Sequence, residues 1–196
     1  ALHRESVECE YLAGNPERAL ELFGPLLARV RTAVEKAELH ALRAALETNR
    51  GDLRAAIAAG REGLALFGVT LPAGGSTFAT LKEFARYQWL RRGLSPEALR
   101  ALPECRDHAR RAEQRVMVAM TAAAYFTDTN LALLLLLRVA CESIKHGVSE
   151  VSAYGFSGVG LVLAAAFSRY EAADEHGRLA IDLNERFGTA ELRAKV

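Results

Sequence analysis

Residues 130–141 read NLALLLLLRVAC. Seven apolar residues, Leu131 to Leu137, precede a lone Arg138, and Val139, Ala140 and Cys141 follow. A helix that spans a bilayer needs about 20 apolar residues. This run ends at Cys141 and has Arg138 inside it. The next apolar block, GVGLVLAAAF (158–167), is also too short, and Lys145, His146 and Glu150 lie between the two. The expectation is therefore no membrane insertion. On a helix, Arg138, Glu142 and Lys145 fall at i, i+4 and i+7, one polar stripe on an otherwise apolar cylinder. Arg138 and Glu142 are placed to pair along it. A helix apolar nearly all round is a buried helix. The run thus predicts helices stacked in layers, with this one between layers.

The composition fits that picture. Of the 196 residues, 51% are apolar and 25% are charged, and the formal net charge is +1. This is the make-up of a folded chain able to bury roughly 70% of its unfolded surface. A net charge near zero demands neither nucleic acid nor anionic lipid. The three cysteines (Cys9, Cys105 and Cys141) are far apart and form no CxxC, so no disulfide framework or zinc site is indicated, and buried thiols are expected. The chain begins at Ala1 in a helical pattern and stops in TAELRAKV (189–196), which reads as the opening of another helix. It therefore reads as a fragment of a larger protein. No signal-peptide pattern opens it, and a cytoplasmic location is expected.

Ala, Leu, Arg and Glu dominate, apolar residues recur at three- and four-residue spacing, and no strand-like alternation lasts. Gly14, Gly51, Gly68, Gly147 and Gly188 each follow a helical pattern and suit the left-handed residue that ends a helix. Pro16 suits a first turn; Asp52, Thr77, Ser95 and Ser149 are candidate N-caps, as is Asp128 or Thr129. Helices are predicted over 2–13, 16–31, 33–49, 53–67, 78–92, 96–102, 107–124, 129–146, 150–167, 170–187 and from 190 onward. The clear break is VTLPAGGST (69–77).

A repeat emerges when the glycines are aligned. GNPERALELFGPLL starts at Gly14 and GDLRAAIAAGREGL at Gly51, 37 residues later; SRYEAADEHGRLAI starts at Ser168. Each has a short polar turn, then Pro16, Leu53 or Tyr170, then Ala19, Ala56 or Ala173 three positions on. The pattern is a helical hairpin whose small Ala lets the second helix cross the first closely. Such pairs stack, because none buries its apolar face alone. Two hairpins are expected over 1–68, the Gly/Pro loop over 69–77, and further stacked helices over 78–196, including a pair at 150–187.

The G-[ND]-x-x-x-A turn inside an amphipathic helix pair resembles the tetratricopeptide repeat, although the early aromatic of its first helix is missing and the period is longer than 34. YLAGNPERALELF (11–23), EKAELHALRAALETNRGDLRAAIAAGREGLALFGVTLP (35–72) and the segment 124–187 from AYFTDTN to DLNERF are similar to the helical region of large bacterial multidomain signalling kinases. In those proteins a serine/threonine kinase-like domain and an AAA-type ATPase domain precede tetratricopeptide-like helices, and sensor and histidine kinase domains often follow. The resemblance implies an all-α, right-handed superhelix of stacked antiparallel helix pairs, a tetratricopeptide-like α-solenoid. It also implies a middle segment that connects catalytic domains and supplies no catalytic residue itself.

The residues agree that chemistry is sparse. No GxxxxGK[ST] string exists, so a P-loop is excluded. GFSGVG (155–160) fits neither GxGxxG nor GxSxG and lies within a helical pattern. It reads as small residues at a helix crossing, with Ser152, Phe156, Gly160 and Ala164 on one face. The five histidines are scattered without HExxH, and His146 suits a helix C-terminus. Cys105 in PECRDH reads as structural, despite basic neighbours that would favour a thiolate. RYQWLRRG (86–93) joins Arg86, Arg91 and Arg92 to Tyr87 and Trp89, a composition also found on single-strand nucleic-acid surfaces; the preferred reading is an amphipathic helix ending in basic residues. In AYFTDTN (124–130), Tyr125 and Phe126 are expected to staple a hairpin, with a partner anchor as the alternative.

These observations predict a non-catalytic protein-interaction and coupling module of a bacterial signal-transduction protein. Its partner would be a flanking domain of the same parent, another signalling protein or a second copy in a homodimer, with no cofactor, metal, nucleic acid or membrane insertion. By tetratricopeptide register the groove of helix 33–49 carries Glu38, Ala41, Ala45, Thr48 and Asn49, of which Glu38, Thr48 and Asn49 are the candidate partner-binding residues. The rival is a small-ligand sensor or enzyme with a pocket among helices 107–187. A closed apolar cavity with converging polar groups, in place of an open groove, would favour it.

Overall fold

A computed structural model describes residues 7, 9–11, 13 and 15–188. Among these, the regular elements are helices: α1 (Pro16–Glu21), α2 (Phe23–Arg29), α3 (Ala33–Arg50), α4 (Leu53–Ala65), α5 (Thr77–Leu90), α6 (Pro96–Arg100), α7 (His108–Thr127), α8 (Thr129–His146), α9 (Ser152–Phe167) and α10 (Tyr170–Phe187). The expected all-α class holds, and the helices pack against their neighbours. No helix among the described residues is long and apolar enough to cross a membrane. The expected helix from 190 onward and the turn at Gly14 lie outside the described residues. So does most of the helix expected over 2–13, of which Val7 and Cys9 to Tyr11 are helical.

The helix boundaries follow from capping chemistry. Thr32 and Glu35 form a reciprocal capping box at the start of α3. Asp52, Ser95 and Asp128 cap α4, α6 and α8 as expected. The cap of α5 is Ser76, one residue before the expected Thr77. Ser149 does not cap α9, which starts only at Ser152; its backbone N–H donates to the Ser152 hydroxyl at 2.8 Å. The single helix expected over 16–31 is two. Pro25 cannot donate to the Glu21 carbonyl, and α1 ends at Glu21. The turns at Gly51 and Ser168 share a geometry: each residue is left-handed, with φ of 89° and 52°, and the next helix starts two residues later. The crossing alanine is buried in one (Ala56) and half-buried in the other (Ala173).

Three antiparallel hairpins, α3/α4, α7/α8 and α9/α10, form the body. Helix α7 lies against both α3 and α4, α8 touches α5, α7 and α9, and α6 rests on α10. The Leu run sits at the junction of two cores. Leu131, Leu135 and Val139 face Leu64, Val116 and Met120 in the first. Leu137, Ala140 and Cys141 face Phe84, Tyr87, Phe156 and Leu163 in the second. Fully burying one leucine side chain contributes about 1.5–3 kcal/mol, so a helix that fills both cores fastens the two halves together. A third cluster, with Phe23, Leu26, Leu39 and Leu46, seats α2 on α3.

The α8–α9 contact depends on the small residues of GFSGVG. A Cβ on Gly155 would come within 2.8 Å of the Ala140 backbone nitrogen, and one on Gly158 within 2.5 Å of Leu136 Cβ. Gly160 faces the Ala173 carbonyl on α10 in the same way, at 3.1 Å. The segment is thus a helix crossing, as its sequence suggested. Gly147, with φ of 99°, ends α8 where Val148 bridges the 103–105 segment, its N–H donating to the Pro103 carbonyl and its carbonyl accepting from the Cys105 N–H, and a side chain on Gly147 would strike the Pro103 carbonyl at 2.7 Å.

Candidate interaction surface

Helix α5 lies against Arg138 and Glu142 of the polar stripe of α8, and this changes their pairing. Arg86 on α5 donates to Glu83 at 2.7 Å and to Glu142 at 2.8 Å. His146 lies 3.3 Å from Glu142. Arg138 therefore does not pair with Glu142 as its spacing suggested; it lies 3.7 Å from Glu83 and donates to the Thr70 carbonyl. Burial pushes the adjacent Cys141 thiol far up, so it is no nucleophile at neutral pH. The Gly/Pro loop after α4 is also fastened. Arg61 donates to the Leu71, Pro72 and Ala73 carbonyls at 3.0, 2.6 and 3.2 Å. Asp128, besides capping α8, accepts from the Gly75 N–H.

The expected groove on α3 is a charged surface. Glu38 pairs with Arg115 of α7 at 2.8 Å, and both side chains are about a third exposed. Arg115 also pairs with Glu150, which holds Arg111 at 2.8 Å, and Arg111 reaches Glu104 at 3.1 Å. The result is a ladder of alternating charge from α3 across α7 to the start of α9. Burial pushes the Glu150 carboxyl up, but a backbone hydrogen bond and its two arginines overcome this and hold it below the usual range. Thr48 is half-buried and its hydroxyl donates to the Ala44 carbonyl at 2.7 Å. Asn49 is exposed at the helix end. Of the three residues expected in the groove, Glu38 and Thr48 already have intramolecular partners.

The apolar exposure lies elsewhere. A cavity of about 320 Å³ opens between α5 and α9, with the start of α8 as its floor. Phe84 and Phe167 stack at 4.9 Å and belong to its lining. Leu81, Tyr125, Leu161 and Phe167 also line it, yet are 50%, 57%, 49% and 43% exposed. Its polar groups are Thr77, Thr80, Thr129 and Asn130, and no charged residue lines it. The Thr80 hydroxyl is already committed to the Ser76 and Asn130 carbonyls. Tyr125 and Phe126 do not staple the hairpin. Helix α7 runs on to Thr127, three residues past its expected end, and carries both rings outward, edge to face at 5.5 Å.

Other sequence candidates are spent on structure. Tyr87 is buried and shares a 2.7 Å hydrogen bond with His176 Nε2, while His176 Nδ1 contacts the Ala172 carbonyl at 2.6 Å. Burial raises the Tyr87 phenol and lowers His176; with Nδ1–H donating to Ala172, the neutral ring accepts from the phenol. This removes Tyr87 from any stacking surface on RYQWLRRG and leaves Trp89 exposed. Cys105 is buried, with its thiol 3.7 Å from the Asp107 carbonyl. Ser143, Ser149, Ser152 and Gln114 form a buried chain of hydrogen bonds joining α7, α8 and α9.

No protein-family model, curated protein or solved structure matches this chain. The exposed aromatics were legible as a composition in AYFTDTN and RYQWLRRG. The convergence of Tyr125 with Leu161 and Phe167 in one cleft was not, because it depends on α5 and α9 flanking α8.

Proposed function

We propose that the chain is a non-catalytic protein-interaction and coupling module, a tetratricopeptide-like superhelix of stacked helix pairs that serves a cytoplasmic bacterial signalling protein. The observation that carries the reading is the uncharged cleft whose rim exposes Leu81, Tyr125, Leu161 and Phe167 together. Contiguous exposed apolar surface of this kind marks binding sites. The three hairpins and the matched turns at Gly51 and Ser168 support the repeat. The cleft, rather than the α3 groove at Glu38, Thr48 and Asn49, is the preferred docking face, because its rim is apolar and exposed while Glu38 and Thr48 already have polar partners.

A small-ligand site is the second reading, and the cavity itself favours it. Its volume lies at the low end of clefts that hold small molecules, about 300–1,000 Å³. An acid–base enzyme is disfavoured at this place, since no titratable carboxylate, imidazole or thiol lines it. Photo-crosslinking separates the cases. With a benzophenone side chain at Leu161, at Asn49 or at exposed Arg54, protein adducts are expected from position 161 alone. Adducts from 49 alone would move the interaction to the α3 groove, and no protein adduct from either site would remove the interaction reading. Calorimetry with ATP and magnesium is expected to show no saturable heat.

A further inference from the structure

The cleft continues along α5. Phe78, Leu81, Ala85 and Trp89 follow one another at three- and four-residue spacing, and all four are exposed, Phe78 at 77% and Trp89 at 68%. The stripe is about 16 Å long, three turns of helix. It is apolar on a helix that turns its opposite face, Phe84 and Tyr87, into the core. The free charges beside it have one sign. Lys82 lies within the stripe and Arg92 just beyond its end; both are exposed, and neither makes an ion pair among the described residues. The only carboxylate on α5, Glu83, is buried and paired with Arg86.

We infer that this surface docks an amphipathic helix of a partner protein, one with an apolar face at i, i+3, i+4 and i+7 and acidic flanks, whose largest apolar side chain enters the cavity between α5 and α9. The inference rests on the docking reading above and adds the partner's chemistry. A helix laid in a groove presents anchors at that spacing. Carboxylates on its flanks would meet Lys82 and Arg92, which steers association and fixes register. A second copy of the chain fits poorly. An antiparallel self-pairing along α5 brings Lys82, near the middle of the helix, against its own counterpart, like charge on like. A lipid surface would find the aromatic and basic residues congenial, but it has no projecting group for a cavity of about 320 Å³.

Trp89 is the only tryptophan in the chain and stands on the stripe, so its emission reports docking directly. The probes are a synthetic Leu/Glu amphipathic helix, the same helix with Lys for Glu, a scrambled Leu/Glu peptide, and vesicles of phosphatidylcholine and phosphatidylglycerol. The Leu/Glu helix should shift Trp89 emission to the blue, saturably and more weakly as salt rises. Lys82→Glu with Arg92→Glu should weaken it by about tenfold. Leu161→Asp, at an exposed position that leaves the fold intact, should abolish it. Equal binding of the Leu/Lys helix would overturn the acidic-partner inference and leave the docking reading standing. A response to vesicles but to no peptide, indifference to Leu161→Asp, or silence with every probe would overturn the inference; the crosslinking at Leu161 then decides separately whether the docking reading survives.

Discussion

The two halves of this molecule solve the same packing problem with opposite surfaces. Around α3, α4 and α7, short of the Tyr125–Phe126 end of α7, most large apolar side chains are turned inward, and the face shared by α3 and α7 carries paired charges from Glu38 to Glu104. Around α5, α8 and α9 the core is just as closed, yet Phe78, Leu81, Trp89, Leu161 and Phe167 remain in solvent. A surface whose charges are mutually satisfied gains little from a partner. One that leaves aromatic rings and unpaired cations exposed gains both apolar burial and charge compensation. Helix α8 belongs to both halves, and this makes the comparison testable.

The largest effects should come from α8 itself. Leu135 and Leu137 are fully buried, one in each core. Each substitution by Ala should cost about 2–5 kcal/mol. Because both cores share the helix, urea unfolding followed by far-UV circular dichroism and by Trp89 emission should give coincident transitions in both variants. If Leu137→Ala separated the two signals, the halves would be independent units and the shared-helix picture would fail.

Next comes the crossing of α3 and α4. Ala56 is fully buried, and Ala56→Leu should overpack it by about 1–3 kcal/mol. A thermal transition equal to the parent's would show that the hairpin tolerates a large residue at its crossing and would remove the repeat register.

Each half also buries a histidine, and acid should act on both. Burial lowers His40, against nearby Glu62, and burial lowers His176, against its hydrogen bond to Ala172. The unfolded chain then binds more protons below about pH 6.5, so stability is full above that value and falls as the folded protein is acidified. Replacing Tyr87 by Phe leaves His176 Nε2 without its donor and should cost about 1–3 kcal/mol. His176→Asn should flatten the loss of stability between neutral and mildly acid pH more than His40→Asn does, because His176 is the more deeply buried. Comparing each variant with the parent cancels Glu113, whose carboxyl is raised by burial and acts in the opposite direction. Equal slopes for both variants would break the asymmetry between halves.

The smallest stability changes should fall on the surfaces. Arg115→Ala interrupts the ladder between Glu38 and Glu150, but at a third exposure its worth is about 0–1 kcal/mol and declines with salt. Leu161→Ser should move stability by no more than about 0.5 kcal/mol, while weakening the Trp89 response to the Leu/Glu helix. A large melting shift from Leu161→Ser would mean that the rim is part of the core and not a docking edge.

Local chemistry in the sequence determined a good deal. The Leu run is too short to span a membrane and too apolar to be wet, so a helix enclosed by others follows from its length and pattern alone. The caps at Asp52, Ser95 and Asp128 and the left-handed glycine after α3 follow from side-chain oxygens and a missing Cβ, effects that act within a few residues. The glycines of GFSGVG were legible as packing for the same reason. Tertiary structure decided everything that required knowing which helices are neighbours. Arg138 and Glu142 are spaced to pair, yet α5 brings Glu83 and Arg86 between them and redirects both. Glu38 reads as a free groove residue until α7 places Arg115 2.8 Å away. Tyr125 and Phe126 read as a staple until α7 continues past them and turns them outward. The cleft exists only because α5 and α9, far apart in the chain, flank the same helix; a sequence specifies each wall, but the space between walls is a property of the assembled fold.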